Sequence, residues 1–464
     1  MTPKQSLDWV KGFESRCNDL NYNIAGVDCW PIIRITLLSM VLPKSSQRAG
    51  AGYNIAGASV MDVVSSIRDL LSFKRSNVFI LTDSKFSAKF SDSIYLKDSH
   101  VISEGAKLNS KTSIIALQNL FVDKSIVGRE HCRSVFAVLL LAAGAAKFSF
   151  VIKCIPGLSR YIERVFNDLA AAPMLREGAV SYKALRKQVY RNILFCLVAK
   201  MIFSMILRRV KPETAYVVCY YSVLGMALCA ACRQLGISIT DIQHGVGGGS
   251  MRAYAGWLKV PRQGYTTLPD TFFCWTRFDA EAITEWAQNT TQHTAIVVGS
   301  MWRDFVQTNS LLATAERQWA DFLKEISVYE KKILITMQSS TLSQVFVDVI
   351  QQCQTNCCFL IKMHPGFLLE KNSIYRDLSG YYPNVFVEQP SSMPIQVIMK
   401  YVDVHLTGWS GSVVDAYFEG VKSVVISIEA LDYFSDFIAS GAVIYAVKAD
   451  DVIDRISSTD TGVQ

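Results

Sequence analysis

Short runs of consecutive apolar residues recur along the chain, separated by longer stretches in which apolar residues return every three or four positions. The first pattern reads as strands buried on both faces, the second as helices covering a sheet. Strands are predicted over 78–81, 215–220, 237–242, 271–275 and 295–298. A second series starts near Lys332 with ILIT, CCFLIK, VFVE, VDVHL and SVVIS. Residues 125–210 read as mostly helical, and TAERQWADFLKEI between the two series reads as a helix that can join two domains. Alternation of this kind predicts an α/β protein with parallel sheets. A chain of 464 residues exceeds one compact domain. The predicted division is an N-terminal α/β domain over 1–310, carrying the helical segment, and a C-terminal Rossmann-like domain over 311–464. No internal repeat is visible.

Composition agrees with a large core, because 50% of residues are hydrophobic and only 19% are charged. The opening MTPKQSLDWV lacks the basic and apolar regions of a secretory signal, which predicts a cytoplasmic protein. Its twelve cysteines are then expected reduced and mostly buried, including Cys229 and Cys232 in the helical run GMALCAACRQLG. Charge is uneven. Residues 1–210 hold 29 Lys and Arg against 15 Asp and Glu, while residues 211–464 hold 18 against 25. The positive half points to an anionic partner, nucleic acid or a membrane surface. No basic–aromatic nucleic-acid motif occurs, so the expected partner is the anionic inner-membrane surface rather than nucleic acid. Residues 135–146 are too few to span a bilayer. Residues 193–207 (ILFCLVAKMIFSMIL) are interrupted by Lys200 and flanked by Arg186, Lys187, Arg191, Arg208, Arg209 and Lys211. Such a run is either a buried helix of the first domain or a helix lying in the headgroup interface.

Open parallel sheets bind ligands beyond the carboxyl ends of their strands. Three segments there carry chemistry. The strand ISITDI runs into Asp241, Gln243, His244 and Gly245, then VGGGS; a nucleophilic role would require the Asp241 carboxyl to be ionised, its pKa not raised far by burial. No amphipathic helix follows Ser250, so a dinucleotide fingerprint is not the reading. The strand CCFLI leads into Lys362, Met363, His364, Pro365 and Gly366, where the turn is fixed and lysine and histidine can donate to a phosphate. The strand VDVHL leads into Thr407, Gly408, Trp409, Ser410, Gly411 and Ser412 ahead of the helix VVDAYFEG, expected to cap the helix and bind an anion. Gln338, after ILIT, is expected in a neighbouring loop. The nearest approach to a metal-binding DxD is Asp403-Val404-His405, with His405 read as buried strand. No metal spacing stands out, so a metal-independent, cofactor-free enzyme is expected.

Together DIQHG, KMHPG and TGWSGSVVDAYFEG resemble the retaining β-Kdo glycosyltransferases of bacterial O-antigen and capsule assembly, Kdo being 3-deoxy-D-manno-oct-2-ulosonic acid. DCWPIIR around Trp30 and the pair Gly299-Ser300 fit more loosely, and the likeness runs over roughly residues 20–430. The HP and serine motifs are shared with CMP-sialic acid and CDP-linked transferases. The resemblance implies a GT-B fold, two Rossmann-like domains facing a central cleft. It implies a CMP-β-Kdo donor, an undecaprenyl- or lipid-linked glycan acceptor, and work on the cytoplasmic face of the inner membrane. It implies retention by double displacement, with Asp241 as nucleophile, His244 against the donor sugar, His364 and Pro365 on the CMP phosphate, and Ser410 and Ser412 on the same nucleotide. Glu163 and Glu177 are the upstream candidates for the acceptor's base, and each reads equally as a surface acid. Two other classes stay open: an inverting CMP-sialic acid or CDP-polyol transferase, and a non-catalytic membrane-associated assembly protein.

Overall fold

The computed structural model describes residues 2–17, 19–41, 60–119, 123–148, 150–151, 155–170, 181–247, 249, 251–339, 341–353, 356–364 and 382–457. The chain forms two compact units, one of residues 1–88 with 93–301 and one of residues 89–92 with 302–464.

The first unit is built on a sheet of β1 (Val78–Thr82), β2 (Ser113–Leu117), β3 (Cys132–Ser134), β4 (Thr214–Val218), β5 (Ser238–Ile242), β6 (Thr271–Cys274) and β7 (Thr294–Val297). Its order is β7-β6-β5-β4-β1-β2-β3 and every pairing is parallel. All five residues of VFILT and of SIIAL are buried, as a strand covered on both faces requires. The chain steps one way from β4 to β7 and the other way from β1 to β3, so the winding reverses between β1 and β4. Two of these strands were not expected. SIIAL is too short an apolar run to tell from helix by its pattern, and the three-residue edge strand CRS interrupts the segment read as helical.

Helices α1 (Pro3–Arg16), α2 (Cys29–Val41), α3 (Phe136–Ala146), α4 (Tyr182–Val210), α5 (Val223–Leu235) and α6 (Arg277–Ala287) pack with this sheet. α1 starts on a capping box between Thr2 and Gln5. The 29-residue α4 carries the basic-flanked run, and the structure makes that run core. Ile193, Cys196, Ala199, Phe203 and Leu207 are all buried, and α4 packs against α2, α3 and α5. Lys200 is buried too, its ammonium donating to the Ala25 carbonyl. Only Met201 and Met205 of its long apolar side chains are strongly exposed. Among the described residues no helix is long and apolar enough to cross a membrane.

In the second unit β8 (Lys331–Thr336), β9 (Cys357–Lys362), β10 (Val385–Phe386), β11 (Val404–Thr407), β12 (Lys422–Val425) and β13 (Val443–Tyr445) form a sheet in the order β10-β9-β8-β11-β12-β13. It too is wholly parallel, and its winding reverses between β8 and β11. The expected joining helix is two helices of this unit, α7 (Leu311–Gln318) and α8 (Ala320–Ile326). α9 (Gln344–Gln352) covers one face, and α10 (Ser412–Phe418) follows β11. The described cysteines are all unpaired, with Cys229 and Cys232 buried in α5.

Candidate functional site

In the first unit the reversal lies between β1 and β4, and the carboxyl ends of the strands there are the usual place for a ligand in such a sheet. After β4 the chain turns tightly into α5. Cys219 takes a positive φ of 71°, Ser222 caps the helix through Gly225 N at 3.0 Å, and a Cβ on Gly225 would lie 2.6 Å from the Tyr220 carbonyl oxygen. Only glycine fits there. After β1, Asp83 caps the turn at Lys85 and Asn119 accepts from Ser84 N at 2.8 Å. His244, just past β5, packs between these turns. Its ring stacks on Tyr221 at 5.7 Å and meets Phe86 at 4.5 Å, and Nε2 lies 3.1 Å from the Tyr221 hydroxyl. The ammonium of Lys85 sits 4.9 Å from the Phe86 ring. Burial first, and the Lys85 cation second, push the His244 imidazole down to about 4, so it is neutral at neutral pH. Its buried Nδ1 has no hydrogen-bond partner.

Asp241 lies on β5, paired between Val217 and Phe272, and is fully buried. Oδ1 accepts from Tyr220 N at 3.0 Å and Oδ2 from the Tyr254 hydroxyl at 2.8 Å. Burial raises its pKa to about 7 against these two donors, which departs from the requirement that burial not raise it far. No cation pairs with it among the described residues.

Gln243 and Gly245 also differ from expectation. Gln243 accepts from Trp275 N at 2.6 Å and donates to the Gly245 carbonyl at 2.9 Å, so its amide ties the strand ends together rather than facing a donor. A side chain at Gly245 would meet nothing, whereas a Cβ at Gly247 would lie 2.1 Å from Asp279 Oδ1, within the capping box that starts α6. The glycine that matters sterically is therefore Gly247. Ser250 lies outside the described residues.

In the second unit the reversal lies between β8 and β11. Gln338 bridges it. Its Oε1 accepts from Trp409 N at 3.1 Å and Thr407 Oγ1 at 3.2 Å, and its Nε2 donates to the Thr336 carbonyl at 3.1 Å. The Ser410 hydroxyl accepts from Ser412 N at 3.2 Å, but the cap position of the helix is Gly411, with no side-chain cap, so neither serine is the expected N-cap. The Ser412 hydroxyl turns inward. It lies 2.8 Å from Thr336 Oγ1 and 3.1 Å from His405 Nε2, inside the unit. His405 Nδ1 meets Ser423 Oγ at 2.8 Å, and burial pushes this imidazole down to about 3. α10 has only seven residues, Gly411 is exposed at its start, and Ser412 N–H already donates to Ser410, so the expected anion site reduces to the loop before it.

Lys362 is also turned inward. Its ammonium donates to the carbonyls of Pro390, at 3.0 Å, and of Met393, and burial lowers its pKa to about 8. It holds a helix end. His364 is exposed beyond the end of β9. Pro365 and Gly366 lie outside the described residues, as does Glu177. Glu163 is a surface acid bound by both oxygens to Arg186 Nη1 at 2.8 and 2.9 Å.

Sequence reading missed Tyr220, Tyr221, Tyr254, Phe86 and Lys85. The aromatic residues announce themselves only as apolar pattern. A weak signal lay in the turn chemistry of Asp83-Ser84 directly after a strand.

No protein-family profile matches the chain, and no curated protein matches it. Solved structures do. UDP-GlcNAc 2-epimerase from Methanocaldococcus jannaschii superposes with a TM-score of 0.50 at 10% identity, covering 83% of this chain and 93% of that one. The fold is of the GT-B type, two Rossmann-like α/β domains. UDP-GlcNAc 2-epimerase from Neisseria meningitidis, bound to UDP-GlcNAc, gives a TM-score of 0.44 at 14% identity over 82% of this chain and 90% of that one. The wall teichoic acid polymerase TagF gives 0.44 at 12% identity over 90% and 88%. Identities this low speak to fold alone.

Proposed function

We propose that this chain is a glycosyltransferase that moves Kdo from CMP-β-Kdo to a lipid-linked bacterial surface polysaccharide with retention, using Asp241 as the nucleophile. The observation that carries the reading is the Asp241 carboxyl itself. It is buried without a cation at a strand's carboxyl end, beside the reversal of a parallel sheet. A buried carboxylate costs stability unless it is paired, and such groups concentrate at reactive centres. The set of DIQHG, KMHPG and TGWSGS supplies the donor class, as a resemblance.

The chemistry runs in two displacements. The Tyr254 hydroxyl leaves Oδ2, and that oxygen attacks the anomeric carbon. The bond to the phosphate oxygen breaks and CMP departs with the electron pair, leaving the sugar joined to Asp241. The acceptor oxygen then attacks the same carbon from the face CMP vacated. The sugar–Asp241 bond breaks, the carboxylate is restored, and the acceptor's proton passes to solvent. Asp241 must be ionised to attack, so the first step gains rate as pH rises through about 7. Neutral His244 can hydrogen-bond the donor sugar. The exposed His364 and the loop at Ser410 and Gly411 are the groups that would meet the nucleotide.

Mixing protein with CMP-Kdo, without acceptor, should add the mass of one Kdo to the peptide containing Asp241. The full burial of Asp241, with both oxygens engaged, favours a second reading: an inverting transferase in which Asp241 only shapes the site. NMR of the product separates them. An inverted anomer, or no adduct, would remove the double displacement and keep the CMP-sugar transferase.

A further inference from the structure

The N-terminal helices hold a second buried charge cluster whose bonds end on the loop that covers Asp241. Arg34 on α2 and Glu14 on α1 are wholly buried and paired at 3.0 Å. Arg34 Nη1 donates to the Arg252 carbonyl at 2.5 Å, and Nη2 donates to the carbonyls of Ala255 and Gly256 at 3.1 Å each. The guanidinium also stacks 4.0 Å from the Trp257 ring centre. Glu14 accepts from Trp30 Nε1 at 2.9 Å and from Leu258 N at 3.0 Å. One ion pair thus grips residues 252, 255, 256 and 258, on both sides of Tyr254.

Between those grips the loop is fixed twice more. The Ala253 carbonyl accepts from the Tyr220 hydroxyl, and the Tyr254 carbonyl accepts from Trp286 Nε1 at 2.7 Å. Tyr220 reaches Asp241 as well, through its backbone N–H. A buried ion pair gains little over an apolar replacement of the same volume, so its value as a mere stabiliser is small. A planar fork with five fixed donors has another use, which is to set several carbonyls in one geometry.

We propose that Arg34 and Glu14 are positioning residues for Asp241: they lock the loop of residues 252–258 so that the Tyr254 hydroxyl sits on the Asp241 carboxyl. The proposal rests on the reading of Asp241 as the reacting carboxylate. The groups that face Asp241 from the packed elements are Tyr220, Tyr221, Tyr254, Cys219, Cys229 and Cys274. Burial keeps each of them protonated well above neutrality, so the Asp241 titration is observable alone.

The test is the titration of the Asp241 carboxyl carbon by NMR in protein carrying carboxyl-labelled aspartate, with Asp241→Asn assigning the signal. No donor or acceptor is present, so the result stands whether or not the protein turns over CMP-Kdo. Tyr254→Phe should raise the midpoint by about one unit, because it removes a donor to the charged form. Arg34→Lys keeps the charge but cannot span three carbonyls, and should move the midpoint in the wild-type background only. In the Tyr254→Phe background it should move nothing, since residues acting through one contact are not additive. Glu14→Gln, which keeps the Trp30 acceptor, should behave like Arg34→Lys. With CMP-Kdo added, both single variants should lower kcat more than they raise the donor KM. An Arg34→Lys midpoint that is unchanged, or shifted equally in both backgrounds, would overturn the proposal. So would failure of both variants to fold, because the pair would then hold the fold and not the site.

Discussion

The carboxyl of Asp241 is the residue on which most depends, and its sign with pH is defined. Its folded pKa of about 7 lies above the ordinary value of 3.8, so the folded state holds a proton that the unfolded chain has already lost between those values. Folding stability contributed by this group is therefore intact below the ordinary value and declines as pH rises to about 7. Asp241→Asn should flatten that decline, on the order of a few kcal/mol, in denaturant titrations from acid to neutral pH. The same variant should lose transfer activity by at least about a thousandfold while still binding CMP. His364→Ala should cost about 2–3 kcal/mol of CMP affinity by calorimetry, against none for Lys362→Met, since Lys362 faces carbonyls inside its unit. The position of Asp241 at a strand end was legible in ISITDI. Its burial was not, because Tyr254 stands thirteen residues on and the Arg34 that holds its loop 218 residues from the carbonyl it grips.

Strands and their turns were legible where apolar runs were long, and blurred where they were not. CCFLIK has the same bounds in sequence and structure, while the three-residue CRS has no pattern to read. Turn glycines were harder still. DIQHG draws attention to Gly245, yet the close approach is at Gly247, decided by a capping box on α6 some thirty residues later. Gly247→Ala should displace Asp279, weaken the start of α6 and lower the melting temperature, whereas Gly245→Ala should be nearly neutral by the same measurement. Serine spacing likewise could not say which hydroxyl turns inward. Ser412→Ala removes a partner from buried Thr336 and His405, and should cost about 1–3 kcal/mol in stability without changing CMP affinity.

Across the whole chain, parallel layering and the twofold α/β organisation followed from alternation, but the role of the most basic apolar run did not. Most of its flanking charges lie toward the ends of α4 while one side of its centre is core, with Met201 and Met205 left exposed on the other. The positive balance of residues 1–210 remains, and predicts flotation with anionic vesicles at low salt that is lost when salt screens it. The described cysteines give the molecule a further property. Nine are buried and only Cys353 and Cys357, both in the second unit, are half-buried, with burial holding every one of these thiols protonated. A thiol reagent can therefore modify the described cysteines of the first unit only when that unit opens, which makes them a clock for it. Pulses of alkylation read by peptide mass would time the opening of each unit separately, with Cys353 and Cys357 marking first.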